Sequence, residues 1–407
     1  MIDFEMSPGI ENARQMIHMM AEQTMRPISR EYDEREHEEP TEWHEMMWTV
    51  SRSSEVTFGG GKDKKDKGPS ERHLASTVTI EELSWGDAGL YLSIPNAGLG
   101  GAAVAAAGTP EQRKRFLARF QEGKPKWAAM AITEPGCGSD SAAITSTAVR
   151  DGDQWVLNGT KIFCTSGQRA LEKSEGFVVV WATVDKHAGR AGIKAFIVEA
   201  GTPGVTVTKV EDKLGIRASD TAELVLEDCR IPLDNLLGGA AVKTQSSEGF
   251  KGVMATFDAT RPAVAASAIG IGRAAVDFVR DALAKAGVTI RYDAPYSKVT
   301  ALERDFMEME SSLQAARLLT WRASWMMDRG MQNNLEASMC KAKAGLAVTL
   351  VTQKAVEILG PLGYSRKLLV EKWMRDAKIN DIFEGTQQIN LMIVARRILG
   401  YSSKELN

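Results

Sequence analysis

Apolar positions change their period twice along this chain. Residues 8–56 are strongly charged with recurring Met and Trp, and read as helices. Residues 71–120 continue in that manner. HLASTVTIEELSWGDAG is amphipathic, and TPEQRKRFLARF has Thr109 as N-cap, Pro110 in the first turn and Gln112 at the capping-box position. From about 127 to 235 the runs shorten and become β-branched. STAVRDGDQWVLNGTKIF predicts two strands around a hairpin turn at Asp151 and Gly152. GFVVVWATV, KAFIVEA, GVTVTKV and TAELVLEDCRIP predict further strands, each bounded by Gly, Pro or Asp. Strand follows strand without helices between them, which argues for a mainly antiparallel sheet and against a dinucleotide-binding βαβ series. From about 244 the helical period returns. Leu302, Phe306, Met309, Leu313 and Ala316 fall at steps of 4, 3, 4 and 3, which is one buried stripe on a long helix. LEASMCKAKAGLAVTLVTQKAVEILG predicts another, stopped at Gly360 and Pro361. The expected fold is mainly α with a middle β domain: residues 1–126 helical, 127–243 β and 244–407 helical.

Composition narrows the function. With 407 residues, 43% hydrophobic and 25% charged, the chain has the makings of several packed units. A formal net charge of −3 and a pI near 6.1 give no electrostatic case for nucleic-acid binding. Cys137, Cys164, Cys229 and Cys340 form no C-x-x-C pair and the five histidines are scattered, so no metal site is expected. Sparse cysteine points to a reducing compartment, the cytoplasm. The stretch MIDFEMSPGIENARQM has early acids and no signal-peptide core, and no run nears the roughly 18 apolar residues of a membrane span. GGGKDKKDKGPS, residues 59–70, is expected to be a mobile surface loop; it lacks the phosphate-binding G-x-x-x-x-G-K-S/T pattern.

Four stretches could carry chemistry. TEPGCGSD (133–140) combines glycines that free the backbone with the hydroxyls of Thr133 and Ser139. In GTKIFCTSG (159–167), strand alternation puts Phe163 and Thr165 on one side, where an aromatic ring and a hydroxyl could line a flat heterocycle. FDATRP (257–262) offers Asp258 and Arg261 near an expected helix start before Pro262. NDIFEGTQQINLM (380–392) places Glu384 between apolar residues and Gly385. Taken singly, each reads first as ordinary structure: a turn, a half-buried sheet, a surface ion pair, an exposed Glu-Gly corner.

Taken together and in order they are specific. AGLGGAAVAAAGTPEQRKRFL, AITEPGCGSD, LNGTKIFCTSG, LGIRASDTAELVLEDCRIP, FDATRPAVAASAIG and VEKWMRDAKINDIFEGTQQIN are collinear over about 300 residues, and the sequence resembles the acyl-CoA dehydrogenases. The resemblance implies an N-terminal helical domain, a middle β domain and a C-terminal four-helix bundle. It implies FAD as cofactor, an acyl-CoA thioester as substrate and a trans-2-enoyl-CoA as product in fatty-acid β-oxidation, with electrons passed to an electron-transferring flavoprotein. The family's base is the glutamate of an EGT segment, here Glu384; relatives that instead carry it just before the FDATRP arginine have no counterpart here, because that position is Thr260. By resemblance Met130, Ile132, Thr133, Ser139, Phe163, Thr165, Thr386 and Gln388 contact the cofactor, and Ser139, Asp258, Arg261 and Gly385 contact the acyl-CoA. The thioester oxygen is expected to be met by the backbone N–H of the base and a ribityl hydroxyl. Leu92 and Ile94 are expected near the tail end of the acyl pocket.

The pattern departs from the family where neighbouring subunits share the cofactor. Arg291 is present, but the usual Phe-Gly does not follow it. Glu357 stands where an amide is common and Pro361 where a second glycine is common. Phe163 replaces a tryptophan, and the lysine-rich loop replaces a Gly-rich segment. Three assemblies follow as expectations: a homotetramer, a heterotetramer in which a related subunit completes the cofactor site, or a non-catalytic structural subunit.

Overall fold

A computed structural model of the chain describes residues 6–53, 70–239, 248–401 and 405, the side chains of 53 and 248–259 excepted. Loop residues 59–69 and the side chain of Asp258 therefore lie outside the described part. Among the described residues, six α-helices precede the first strand: α1 (Pro8–Met20), α2 (Arg26–Glu34), α3 (Thr41–Ser53), α4 (Arg72–Ser93), α5 (Gly98–Ala107) and α6 (Pro110–Leu117). The α6 start is the expected capping box: Thr109 Oγ1 accepts from Gln112 N, and the Gln112 side chain accepts from Thr109 N.

The β domain comprises β1 (Ala128–Ala131), β2 (Thr147–Asp151), β3 (Gln154–Thr165), β4 (Phe177–Thr183), β5 (Ile193–Glu199), β6 (Val205–Val210) and β7 (Thr221–Pro232). The order is β1-β4-β2-β3-β7-β6, with β5 also on β4. Pairing is mainly antiparallel, β1 with β4 being the main parallel contact. All seven residues of β4 are buried because it serves two cores. Val178, Val180 and Ala182 join one face. Phe177, Val179 and Trp181 join the other, packed against Val104 of α5, Phe116 of α6 and Trp48 of α3. Burial on both faces is why that strand reads as an unbroken apolar run.

The C-terminal bundle is built from α7 (Glu248–Lys285), α8 (Ala301–Asp328), α9 (Asn334–Leu359) and α12 (Gln387–Leu399), with short helices α10 (Pro361–Tyr364) and α11 (Val370–Ala377) between the last two. The expected stripe on α8 is seen: Phe306, Met309, Leu313 and Ala316 are buried and Leu302 packs against the same core. One expectation is corrected. Pro262 does not mark a helix start but lies inside α7. It forfeits one backbone bond, yet packing holds the helix through it, since Ala265, Ala268, Ile269 and Ile271 sit in the bundle core. The helix segment Thr260–Lys285 is long and apolar enough for a membrane span, but 72% of its most apolar 18-residue stretch is buried inside the protein, as befits a core helix.

Candidate active site

The segment after α11 makes one 3₁₀ turn (Lys378–Asp381) and then reverses before α12. The reversal needs two consecutive left-handed residues, Glu384 at φ 55° and Gly385 at φ 86°. Gly385 adopts this freely; Glu384 does so at a cost of about 1 kcal/mol. Thr386 then caps α12, its Oγ1 accepting from Ile389 N at 3.2 Å. Strained backbone at an acid is the kind of departure that functional sites carry.

Glu384 faces α7 and α9. Thr260 Oγ1 donates to Glu384 Oε2 at 3.0 Å. Arg261, only 5% exposed, donates through Nη1 to Ser338 Oγ of α9 at 3.4 Å. Glu384 keeps part of its surface open, yet protein crowds its carboxyl. Burial pushes the Glu384 pKa above the ordinary glutamate value, against the opposing Thr260 bond and the nearby Arg261 and Lys341 cations. The backbone N–H of Glu384 donates to no protein acceptor among the described residues.

A second group lies on the β domain. Ile162 N donates to Thr133 O at 2.9 Å, and Lys161 Nζ donates to Ile132 O at 3.2 Å, which brings the 133–140 loop beside the end of β3. Cys164 Sγ lies 3.6 Å from Met130 O across the same seam. Ladder register slips between Lys161 and Cys164. Within the slip, Phe163 takes φ 58° and is 59% exposed. At this bulge Phe163 is exposed, Cys164 is buried and Thr165, two residues on, is half-buried. Ser139 is exposed on the loop.

The structure thus unites Met130, Ile132, Thr133, Phe163 and Thr165 in one place. In another it unites Glu384, Gly385, Thr386 and Arg261. Gln388 is exposed at the start of α12. No hydrogen bond or ring contact joins the two groups among the described residues. Ile94 is buried in the N-terminal core and Leu92 packs on the bundle. A small cleft of about 10 Å³, lined by His37, Glu39, Arg169, Arg217, Ser219 and Asp220, touches neither group.

Two residues escaped the sequence reading. Glu134 anchors the 133–140 loop, accepting from Thr145 N at 2.6 Å, Ser146 N at 3.0 Å and Lys161 Nζ at 2.6 Å. Burial alone would raise its pKa; these donors outweigh burial and hold it down to about 2. Lys341 of α9, 1% exposed, donates to Gly385 O at 2.7 Å. The signal for it was a lysine inside the apolar stretch ASMCKAKAG.

Comparison with known proteins identifies the family. Models of the N-terminal, middle and C-terminal domains of acyl-CoA dehydrogenase match residues 7–124, 129–229 and 247–399. The chain belongs to the acyl-CoA dehydrogenase family, whose members are FAD-dependent flavoproteins acting on the CH–CH bond of acyl-CoA thioesters. It is 38% identical to the mitochondrial short-chain specific acyl-CoA dehydrogenase of Bos taurus over 95% of this chain and 89% of that one. Butyryl-CoA dehydrogenase from Megasphaera elsdenii superposes with a TM-score of 0.82 at 33% identity, covering 98% of this chain and all of that one (100%). A chain in a structure described as the electron transferring flavoprotein of Acidaminococcus fermentans gives the same TM-score, 0.82, at 33% identity and the same coverage, 98% and 100%.

Proposed function

We propose that this protein oxidises short, straight-chain acyl-CoA thioesters to trans-2-enoyl-CoA, with Glu384 taking the α proton. The observation that carries this reading is the Glu384 carboxylate, held at a left-handed turn by Thr260 and raised in pKa by burial. A glutamate in water is a weak base toward a carbon acid; one poorer in water is a stronger one. The Glu384 N–H, which meets no protein acceptor among the described residues, is the donor for charge building on the thioester oxygen. Arg261, Gly385, Ser139 and Asp258 are assigned to the acyl-CoA. Short-chain preference rests on the likeness to the bovine and Megasphaera enzymes.

The residues present fit FAD. An exposed aromatic ring beside a hydroxyl and a loop of backbone polar groups is a surface for a flat, polar ring system. Phe163 would cover the ring, Thr165 and Thr133 would hydrogen-bond it, Met130 and Ile132 would back it, and Ser139, Thr386 and Gln388 would hold its polar parts. When bound, FAD supplies the acceptor for the β hydrogen that leaves as hydride. Phe163→Gly separates backbone from ring. Apoprotein stability should hold or rise by about 1 kcal/mol as the left-handed strain is relieved, while FAD affinity falls about tenfold with the loss of the stacked ring. Thermal unfolding of apoprotein and fluorescence titration with FAD check the two halves.

The acceptor beyond FAD is assigned to an electron-transferring flavoprotein, and the compartment to the cytoplasm, in keeping with four free cysteines. Arg291 is committed within the chain: its Nε and Nη2 each lie 2.7 Å from the Glu303 carboxylate. Leu391, Met392, Ile398 and Leu399 of α12 are exposed apolar residues of the kind a further subunit covers. The assembly is therefore assigned as an oligomer, either of identical chains or with a related subunit. The test is the chain expressed alone: light scattering, flavin per subunit, and a screen of acyl-CoAs of increasing length with an artificial acceptor. A flavin-loaded homotetramer with its highest kcat/KM on butyryl-CoA is the expected result. Flavin-poor protein that becomes active only with a related subunit would assign it to a mixed assembly, and preference for long or branched acyl groups would overturn the short-chain reading.

A further inference from the structure

The underside of the base turn is built on α9. Gly345 and Lys341 lie one turn apart on the same face of that helix. A Cβ at Gly345 would sit 2.9 Å from Asn380 O and 3.0 Å from Asp381 Oδ1, so only glycine lets the loop rest directly on the helix there. One turn earlier, Lys341 Nζ reaches Gly385 O. The same carbonyl accepts from Asn390 Nδ2 of α12 at 2.9 Å. Both of its lone pairs are thus engaged by side chains from two different helices.

A neutral donor would satisfy that carbonyl. Burying an ammonium to do so is costly, and burial pushes the Lys341 pKa down to about 8. The charged groups that act on it are Asp381 and Glu384 from the loop and Arg261 from α7. Lys341 is too deeply buried to meet a ligand. What its charge does reach is Glu384, whose pKa it lowers.

Accepting Glu384 as the base, we propose that Lys341 is a positioning residue for it. Its ammonium pins the left-handed turn through the Gly385 carbonyl and keeps a positive charge behind the carboxylate. The turn is thereby fixed in the conformation that aims both the Glu384 carboxylate and its backbone N–H, and the cation favours the ionised carboxylate against the effect of burial.

Lys341→Met, Lys341→Gln and Asn390→Ala, each as FAD-loaded protein, separate the two effects. Lys341→Met should lower kcat about tenfold or more with KM within about threefold, since a misaimed base costs rate more than binding. Loss of the cation should also move the midpoint of the rising limb of kcat against pH upward by about half a unit. Infrared difference titration reads the same midpoint without turnover, the band being assigned by its loss in Glu384→Gln. Lys341→Gln keeps a donor and loses the charge, so its midpoint should move upward with a smaller fall in kcat. Asn390→Ala loses a donor and no charge, so kcat should fall with the midpoint unmoved. A folded Lys341→Met or Lys341→Gln protein with unchanged kcat and midpoint overturns the proposal. So does failure of both to fold while Lys341→Arg folds with an unshifted profile and full activity and Asn390→Ala is normal, which would place the need for charge in folding alone. Substantial activity in Glu384→Gln would remove the base assignment itself; an inactive Glu384→Gln beside a normal Lys341→Met would remove only the role given to Lys341.

Discussion

Glu384→Gln should cut turnover of butyryl-CoA by at least about a thousandfold while leaving FAD and ligand binding within about threefold of the unmodified protein. The amide is nearly the same size and can still accept from Thr260 Oγ1, which sits 3.0 Å from the present carboxylate. Only the capacity to take a proton is removed. Stopped-flow reduction of the flavin by substrate, with ligand affinity followed through the flavin spectrum, checks both halves. Retained flavin reduction would reassign the base.

The same substitution should stabilise the fold. Burial raises the folded pKa of Glu384 above its unfolded value. An acid shifted in that direction favours the native state when protonated, and that contribution is lost as pH rises through the folded pKa. At pH 8 the native protein therefore carries the cost of crowding an acid that the unfolded chain ionises freely, and glutamine removes it. A gain of about 1 kcal/mol follows at pH 8 and shrinks toward pH 4.5 as proton uptake by the parent's glutamate becomes more favourable. Thermal unfolding of both proteins at the two pH values measures it. A group that weakens the fold and is needed for turnover is expected of a base and not of an exposed corner residue.

Much of this was legible from period alone. The α8 stripe and the strand runs repeat at the spacings their burial demands, and Gly360 at φ 55° ends α9 where the sequence stops. Phe163 was legible as a ring near a hydroxyl but not as a bulge, because a register slip leaves no trace in a stretch that still reads as strand. Lys341 and Glu134 were missed for another reason. A charged residue is ordinarily a solvated one, and what makes each of them buried is a partner distant in the chain: 44 residues away for Lys341 and 27 for Glu134. Pro262 was misread as a helix start because a local rule was applied where bundle packing decides.

The largest stability effect expected is at Lys372, where the three parts of the chain meet. Its Nζ donates to Asp376 Oδ2 at 2.6 Å and to Asp87 Oδ2 at 2.7 Å, and all three side chains are buried. Asp87 stands where α4 is broken by an extended residue, its own φ being −166°, and also accepts from Ser29 Oγ and from Leu90 N. Asp376 Oδ1 accepts from Ile216 N of the β domain at 2.6 Å. Burial alone would lower the Lys372 pKa, but Asp376 and Asp87 outweigh it and hold it above the ordinary lysine value. A lysine raised in this way stabilises the fold fully below its unfolded pKa and loses that contribution only as pH rises through the folded one, so the contribution of Lys372 itself is constant across neutral pH. Lys372→Met leaves two buried carboxylates facing each other without a cation, at a cost of about 3–5 kcal/mol. Burial already raises the Asp376 pKa against the pull of Lys372; without that cation the opposition is lost, and an acid raised in the fold is destabilising above its folded pKa. The deficit should accordingly be largest near pH 8 and shrink near pH 5, as read by urea unfolding at each pH. Adding Asp87→Asn and Asp376→Asn to Lys372→Met should recover most of the loss, because the penalty lies in the unpaired charge and not in the missing salt bridge. Because α11 leads directly into the Glu384 turn, Lys372→Met protein that remains folded at low temperature should also turn over more slowly; equal stability at pH 5 and pH 8 would refute the electrostatic origin of the effect.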